Sequence, residues 1–306
     1  MSNPQGPFLD RLKRSLGEAR RFASWLRYDL RDHPRLALYA RRQNRINQRF
    51  FARIKEAEEA GTAPHLAVHA PADPVPKTLW MYWSLGEAAA PPVVRHCVAS
   101  WRRLNPDWDV RVLDAETVSD LVDLSDVPDV LPRRYTANML RLRLLKQHGG
   151  VWADATVLCH RPLDDWLPLH AMTGFFVFSD PGPDRWLTSW FIAATPGHSL
   201  TIAWEEAYTA LVTALRRKPV PYFVLHYSFQ NRVRSAPDLL AAWQRCACLP
   251  ATPTLLLMAA LEDKLPLHAA SDAIRCGLPM SKLSWKSAVE PARMEQALRD
   301  ITQTRS

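Results

Sequence analysis

Apolar residues near the start of the chain recur at three- and four-residue steps: Leu9, Leu12, Leu16, Ala19, Ala23, Leu26 and Leu30. One stripe with that period predicts an amphipathic helix from residue 8 to about 31. Phe22 and Trp25 flank the stripe, and Arg11, Lys13, Arg14, Arg20, Arg21 and Arg27 occupy the rest. Pro34 disfavours helical backbone at His33 and stops the helix. A second basic helix is expected over about 35–59, with Leu38, Ile46, Phe50 and Ile54 inward.

Residues 61–75, GTAPHLAVHAPADPV, read as an Ala- and Pro-rich linker, and the texture then changes. KTLWMYW (Lys77–Trp83) predicts a short aromatic strand. Pro91–Pro106 opens on prolines and shows a helical pattern through Val94, Val98 and Trp101. WDVRVLD (Trp108–Asp114) alternates like a strand, and AETVSDLVDL reads as another helix. This order implies a parallel sheet covered by helices. Tyr135–Gly150 predicts a helix with Met139, Leu140, Leu144 and Leu145 inward, ended at Gly149-Gly150 by a glycine suited to a left-handed cap. VWADATVLC, GFFVFSD and SWFIAATPG predict strands, and residues 199–217 a helix. Beyond Pro219 the pattern weakens; TLLLMAA fits a strand or a buried helix end, and the last fifteen residues a polar helix and tail.

Composition adds limits. The chain has 306 residues, 47% hydrophobic and 23% charged, which suits a folded chain of one large or two small domains. Its five cysteines lack zinc-ligand spacing and read as reduced thiols. No apolar run reaches the roughly 18–20 residues that span a bilayer, and no signal-peptide core opens the chain. A cytoplasmic location is expected. The net charge is +8, and residues 1–60 carry fourteen Lys/Arg against seven Asp/Glu. Two readings of this basic arm stand side by side. It packs on the main domain with a solvated face, or residues 8–59 rest on an anionic membrane surface at the inner face of the cell membrane. Nucleic acid is not an expected partner, because no nucleic-acid module or aromatic-interleaved basic motif is present.

The candidate chemistry centres on QHGGVWADATVLCHRPLDDWL (Gln147–Leu167). Asp154 interrupts an apolar strand, and a buried carboxylate costs several kcal/mol unless it is paired or metal-bound. Near the carboxyl end of that strand it would face the crevice where open α/β sheets bind ligands. Thr156, two residues on, would share its side of the strand. Mg²⁺ or Mn²⁺ takes few protein oxygens when phosphates and water supply the rest. From residue types alone, Asp154 also fits a turn cap or a partner for a nearby arginine. Asp164 and Asp165 fit a helix N-terminus better than a site.

The block RYTANMLRLRLLKQHGGVWADATVL resembles the capsular-polysaccharide-synthesis and family 32 glycosyltransferases, sugar-transferase relatives of the large clostridial glucosylating toxins. VPKTLWMYW, APPVVRHCVASWRRLNPDWDVRVLD, YFVLHYSFQ and MSKLSWK extend the resemblance over about residues 75–286. It implies a GT-A-type, Rossmann-like mixed sheet flanked by helices over 76–290, preceded by the basic helical arm and followed by a polar tail over 291–306. It implies a retaining transferase that moves a sugar from a UDP- or GDP-sugar to a glycan or lipid-linked acceptor in surface polysaccharide synthesis. By the match, Trp83 stacks on the base and Arg141 contacts the diphosphate or ribose. Asp154 and Thr156 form the metal motif for Mn²⁺ or Mg²⁺, and Ser281, Lys282 and Trp285 belong to a segment closing over the donor. Asn138 falls where relatives carry an aspartate for the transferred sugar, and Thr156 replaces a second carboxylate. His226 and Tyr227 fit an acceptor cleft or the core. Asn138 also keeps open a catalytically weak or inactive scaffold subunit at the membrane.

Overall fold

The computed structural model describes residues 73–128, 132–182, 184–214, 222–287, 289, 292–294, 296, 297 and 299. The basic arm and most of the linker lie outside the described residues.

Six strands form the main sheet: β1 (Thr78–Tyr82), β2 (Asp109–Leu113), β3 (Gly150–Ala153), β5 (Phe175–Gly182), β6 (Arg185–Ala194) and β7 (Leu249–Pro250). Their order is β2-β1-β3-β6-β5-β7, with β6 antiparallel to both neighbours and the other pairings parallel. The expected mixed α/β architecture is borne out. Side chains alternate across each strand, which divides the core into two. Leu79, Met81, Val151, Ala153, Phe176, Phe178 and Phe191 pack on one face, with helix α1 (Pro92–Leu104). Trp80, Trp152, Phe175, Val177 and Ile192 pack on the other, with α2 (Arg133–His148), α4 (Ser199–Ala214) and α5 (Val224–Arg234). A four-residue helix, α3 (Leu167–His170), precedes β5.

Local chemistry explains these elements. Pro92 opens α1 at a position that needs no N–H, and Val94, Cys97, Val98 and Trp101 share its buried side. In α2, Met139, Leu140, Leu144 and Leu145 are fully buried, as expected. Glu205 on α4 binds Arg143 at 3.2 Å and Lys146 at 2.9 Å, tying α4 to α2. Burial opposes its ionisation, but the hydrogen bonds from Lys146, Thr209 and Arg143 win and hold its carboxyl below the ordinary range.

Three expectations need correction. AETVSDLVDL forms only a helical turn at Val118–Asp120, because the Asp114 carboxylate captures the Glu116 and Thr117 amides. VWADATVLC is two strands: the Val157 amide bonds the Asp154 carbonyl at 2.9 Å, and β4 (Val157–Cys159) leaves the sheet to pair with β8 (Met280–Lys282). Of the two readings of TLLLMAA the helix holds, since it enters helix α7 (Leu256–Leu261), which follows α6 (Pro237–Gln244) and precedes α8 (Leu267–Arg275). The C-terminal segment is not wholly polar, since Met294 and Ala297 are buried in the core.

Candidate active site

β2 lies on one side of β1 and β3 on the other, so the chain connections diverge at the carboxyl ends of β1 and β3. Such a switch point opens a ligand crevice. A cavity of about 400 Å³ lies there, lined by Trp83, Asn138, Arg141, Asp154, Thr156, Lys282 and Trp285 among others. Seven of the eight expected site residues therefore meet in one place. Ser281 does not: it is fully buried, and its Oγ lies 2.8 Å from His160 Nε2. The strand period explains this, because neighbours on β8 point to opposite sides and Lys282 takes the cavity side.

The paired glycines place the carboxylate. Gly149 has φ 65° and ψ −156°, a region only glycine occupies readily, rather than the left-handed helical cap expected. A Cβ on Gly150, where φ is 92°, would sit 2.5 Å from the Thr78 carbonyl. The chain can thus end α2 and enter β3 hard against β1. Asp154 follows β3 directly, in the turn rather than on a strand face.

Arg141 is buried, with part of its guanidinium engaged. Nη2 lies 3.3 Å from Asp154 Oδ1, Nη1 donates to the Ser189 carbonyl, and the guanidinium stands 5.0 Å over the Trp152 ring. Trp152 Nε1 donates to Asp154 Oδ1 at 3.0 Å. A bulge in β6 supplies the carbonyls: Val177 pairs with Ile192 but Ser179 with Leu187, so β6 uses more residues than β5 there. Within the surplus, the Ser189 carbonyl takes Arg141 and the Trp190 carbonyl takes the Asp154 amide at 2.8 Å.

Lys282 Nζ donates to Thr156 Oγ1 at 2.7 Å and to the Leu283 carbonyl at 2.8 Å. Burial pushes its pKa down, Asp154 and Cys97 oppose that, and Arg141 adds to it. The two side chains expected to hold Mn²⁺ or Mg²⁺ are therefore already engaged by cations. A dication about 4 Å from an ammonium is repelled by roughly 8 kcal/mol at an effective dielectric of about 20. One carboxylate shared with Arg141 and one hydroxyl shared with Lys282 do not fit a resident dication.

Three buried side-chain polar atoms of cavity-lining residues have no partner among the described residues: Trp83 Nε1, Thr188 Oγ1 and His226 Nδ1. Burial and the Arg185 and Arg141 charges push the His226 imidazole down to about 3, so it is neutral at neutral pH. His226 thus lines the cavity, whereas the Tyr227 hydroxyl donates to Asp184 Oδ2 at 2.5 Å. Asn138 Nδ2 donates to the Tyr208 hydroxyl at 3.0 Å. The Trp83 and Trp285 rings meet edge to face at 5.5 Å. Asp164 stays outside the cavity, holding Lys77 at 2.6 Å and Trp108 at 3.1 Å from a helical turn. Tyr82 and Arg134, within the resembling segments but not singled out there, also line the cavity, as do Arg185 and Thr188, which lie outside those segments. Topology alone brings them in.

Residues 39–301 match the sequence profile of capsular polysaccharide synthesis proteins. The O-glycosyltransferase braB of Annulohypoxylon truncatum is 32% identical over 158 residues, 44% of this chain and 37% of that protein. The initiation-specific alpha-1,6-mannosyltransferase of Candida albicans is 28% identical over 130 residues, 37% of this chain and 34% of that protein. The chain thus spans less than half the length of these two curated relatives. The solved PaToxG glycosyltransferase overlaps 76% of this chain and 87% of that one, at a TM-score of 0.39 and 14% identity. With the profile matched across most of its length, the chain belongs to the capsular polysaccharide synthesis protein family.

Proposed function

We propose that this chain is a retaining glycosyltransferase that moves a sugar from a UDP- or GDP-sugar to a glycan or lipid-linked acceptor of a surface polysaccharide. The observation that carries the reading is the switch-point cavity. It combines the buried Arg141 and the part-buried Lys282 with the Asp154 carboxylate and polar atoms, unpartnered among the described residues, suited to a hydroxyl-rich ligand. Its relatives named as glycosyltransferases support it.

In this reading Trp83 stacks on the base, and Trp285 closes over it. Arg141 and Lys282 face the diphosphate and stabilise the negative charge that develops as the anomeric C–O bond breaks. The acceptor hydroxyl attacks from the same face, and its proton passes to the departing phosphate oxygen. Asn138 and Asp154 face the sugar, where an amide both donates and accepts hydrogen bonds. The protein supplies position and charge rather than a covalent intermediate. The basic arm holds the enzyme at anionic lipid on the inner membrane face, and deleting residues 1–60 should abolish co-sedimentation with anionic vesicles.

The test is a donor-hydrolysis and melting assay with UDP- and GDP-sugars. Turnover that is lost in Asp154→Ala and Arg141→Ala supports the reading. Absence of both turnover and a nucleotide-induced rise in melting temperature overturns it in favour of a scaffold subunit.

A further inference from the structure

β8 brings Lys282 opposite Val157, directly beside the Asp154–Thr156 turn. Its ammonium has three N–H donors. Two are used, on Thr156 Oγ1 and the Leu283 carbonyl. The third remains for a ligand in the cavity that Lys282 lines.

The identity of residue 156 decides what that ammonium can do. A carboxylate there would form an ion pair with Lys282 and cancel its charge. A threonine hydroxyl positions the ammonium and leaves its charge intact. Among the described lining residues, Arg134, Arg141, Arg185 and Lys282 face the one carboxylate of Asp154, while Arg185 is also paired with Asp184 at 3.2 Å just outside the lining. That excess of positive charge suits a diphosphate directly and leaves little for a dication to neutralise.

We infer that the Lys282 ammonium, held by Thr156, is the built-in cation of this site, so that a nucleoside diphosphate binds through Arg141 and Lys282 without a divalent metal. The inference rests on the donor-site reading above.

Titration calorimetry of the full chain with UDP and GDP tests it, in EDTA and in millimolar Mn²⁺ or Mg²⁺. The expected Kd differs by less than about threefold between the two conditions. Lys282→Met is expected to weaken binding by about 10–100-fold in EDTA, the value of one charge-assisted hydrogen bond. Should that variant not fold, Thr156→Asp serves instead: its binding should be weak in EDTA, because the new carboxylate pairs with Lys282 and cancels its charge, and binding as tight as that of the unaltered chain would overturn the inference. Nucleotide binding by the unaltered chain only in the presence of a dication would overturn the inference and leave the donor site standing. Binding of neither nucleotide under either condition would overturn both.

Discussion

The α2–Gly149-Gly150–β3 run and the β6–α5 wall line the same cavity, and they are built differently. The first is one continuous stretch of chain. Its charged groups are paired with one another or with carbonyls: Arg141 with Asp154 and Ser189, Asp154 with Trp152. The second comes from segments far apart in sequence, and its Thr188 Oγ1 and His226 Nδ1 are buried without a partner among the described residues. A buried unpaired polar atom costs about 1–3 kcal/mol. The contrast separates two tasks. The continuous run fixes charge in advance, and the assembled wall keeps hydrogen-bonding capacity open to a ligand or to water.

The largest expected effect breaks the continuous run itself. Gly150→Ala forces a Cβ against the Thr78 carbonyl at a positive φ, and should cost about 3–5 kcal/mol of stability in denaturant unfolding. Arg141→Ala leaves Asp154 half-buried without its ion-pair partner. It should lower donor turnover by about 10²–10³-fold. Arg141→Lys should recover little of that, since an ammonium cannot reach the Ser189 carbonyl, Asp154 and a phosphate together.

The assembled wall is probed by pH. His226 titrates near about 3 in the folded chain and at 6.5 when unperturbed. The unfolded chain therefore takes up the proton first, and acid favours unfolding. His226 leaves stability untouched above pH 6.5 and removes it progressively as pH falls toward about 3. His226→Phe keeps the volume without the proton, so its melting temperature should fall less steeply in acid than that of the unaltered chain. The smallest effect is expected from Thr156→Val, which frees Lys282 from its hydroxyl. Nucleotide Kd should rise about 3–10-fold, read by calorimetry.

The same contrast explains what was legible in the sequence. The helix of α2 and its buried face, the strand β1, and the delivery of Asp154 to a crevice all follow from local period, glycine placement and chain order. The split of VWADATVLC into β3 and β4 was not legible, because the turn at Asp154 depends on β8, more than a hundred residues away, pairing with Val157–Cys159. Ser281 was misplaced for a related reason: the motif named the segment, and only the strand register decides that Lys282 faces the cavity. Thr188 and the carbonyls of Ser189 and Trp190 had no signal at all, since a bulge is defined by the partner strand. The helix expected at AETVSDLVDL failed because one Asp114 side chain outcompeted a weak helical pattern.

The central claim is that the crevice at Asp154 holds a sugar nucleotide by its diphosphate. A crystal structure of the full chain soaked with a UDP- or GDP-sugar tests it most directly. The expected result is a base against Trp83, a diphosphate within hydrogen-bonding distance of Arg141 and Lys282, and the sugar beside Asn138 and Asp154. A nucleotide bound elsewhere, or a diphosphate that contacts neither cation, would contradict it.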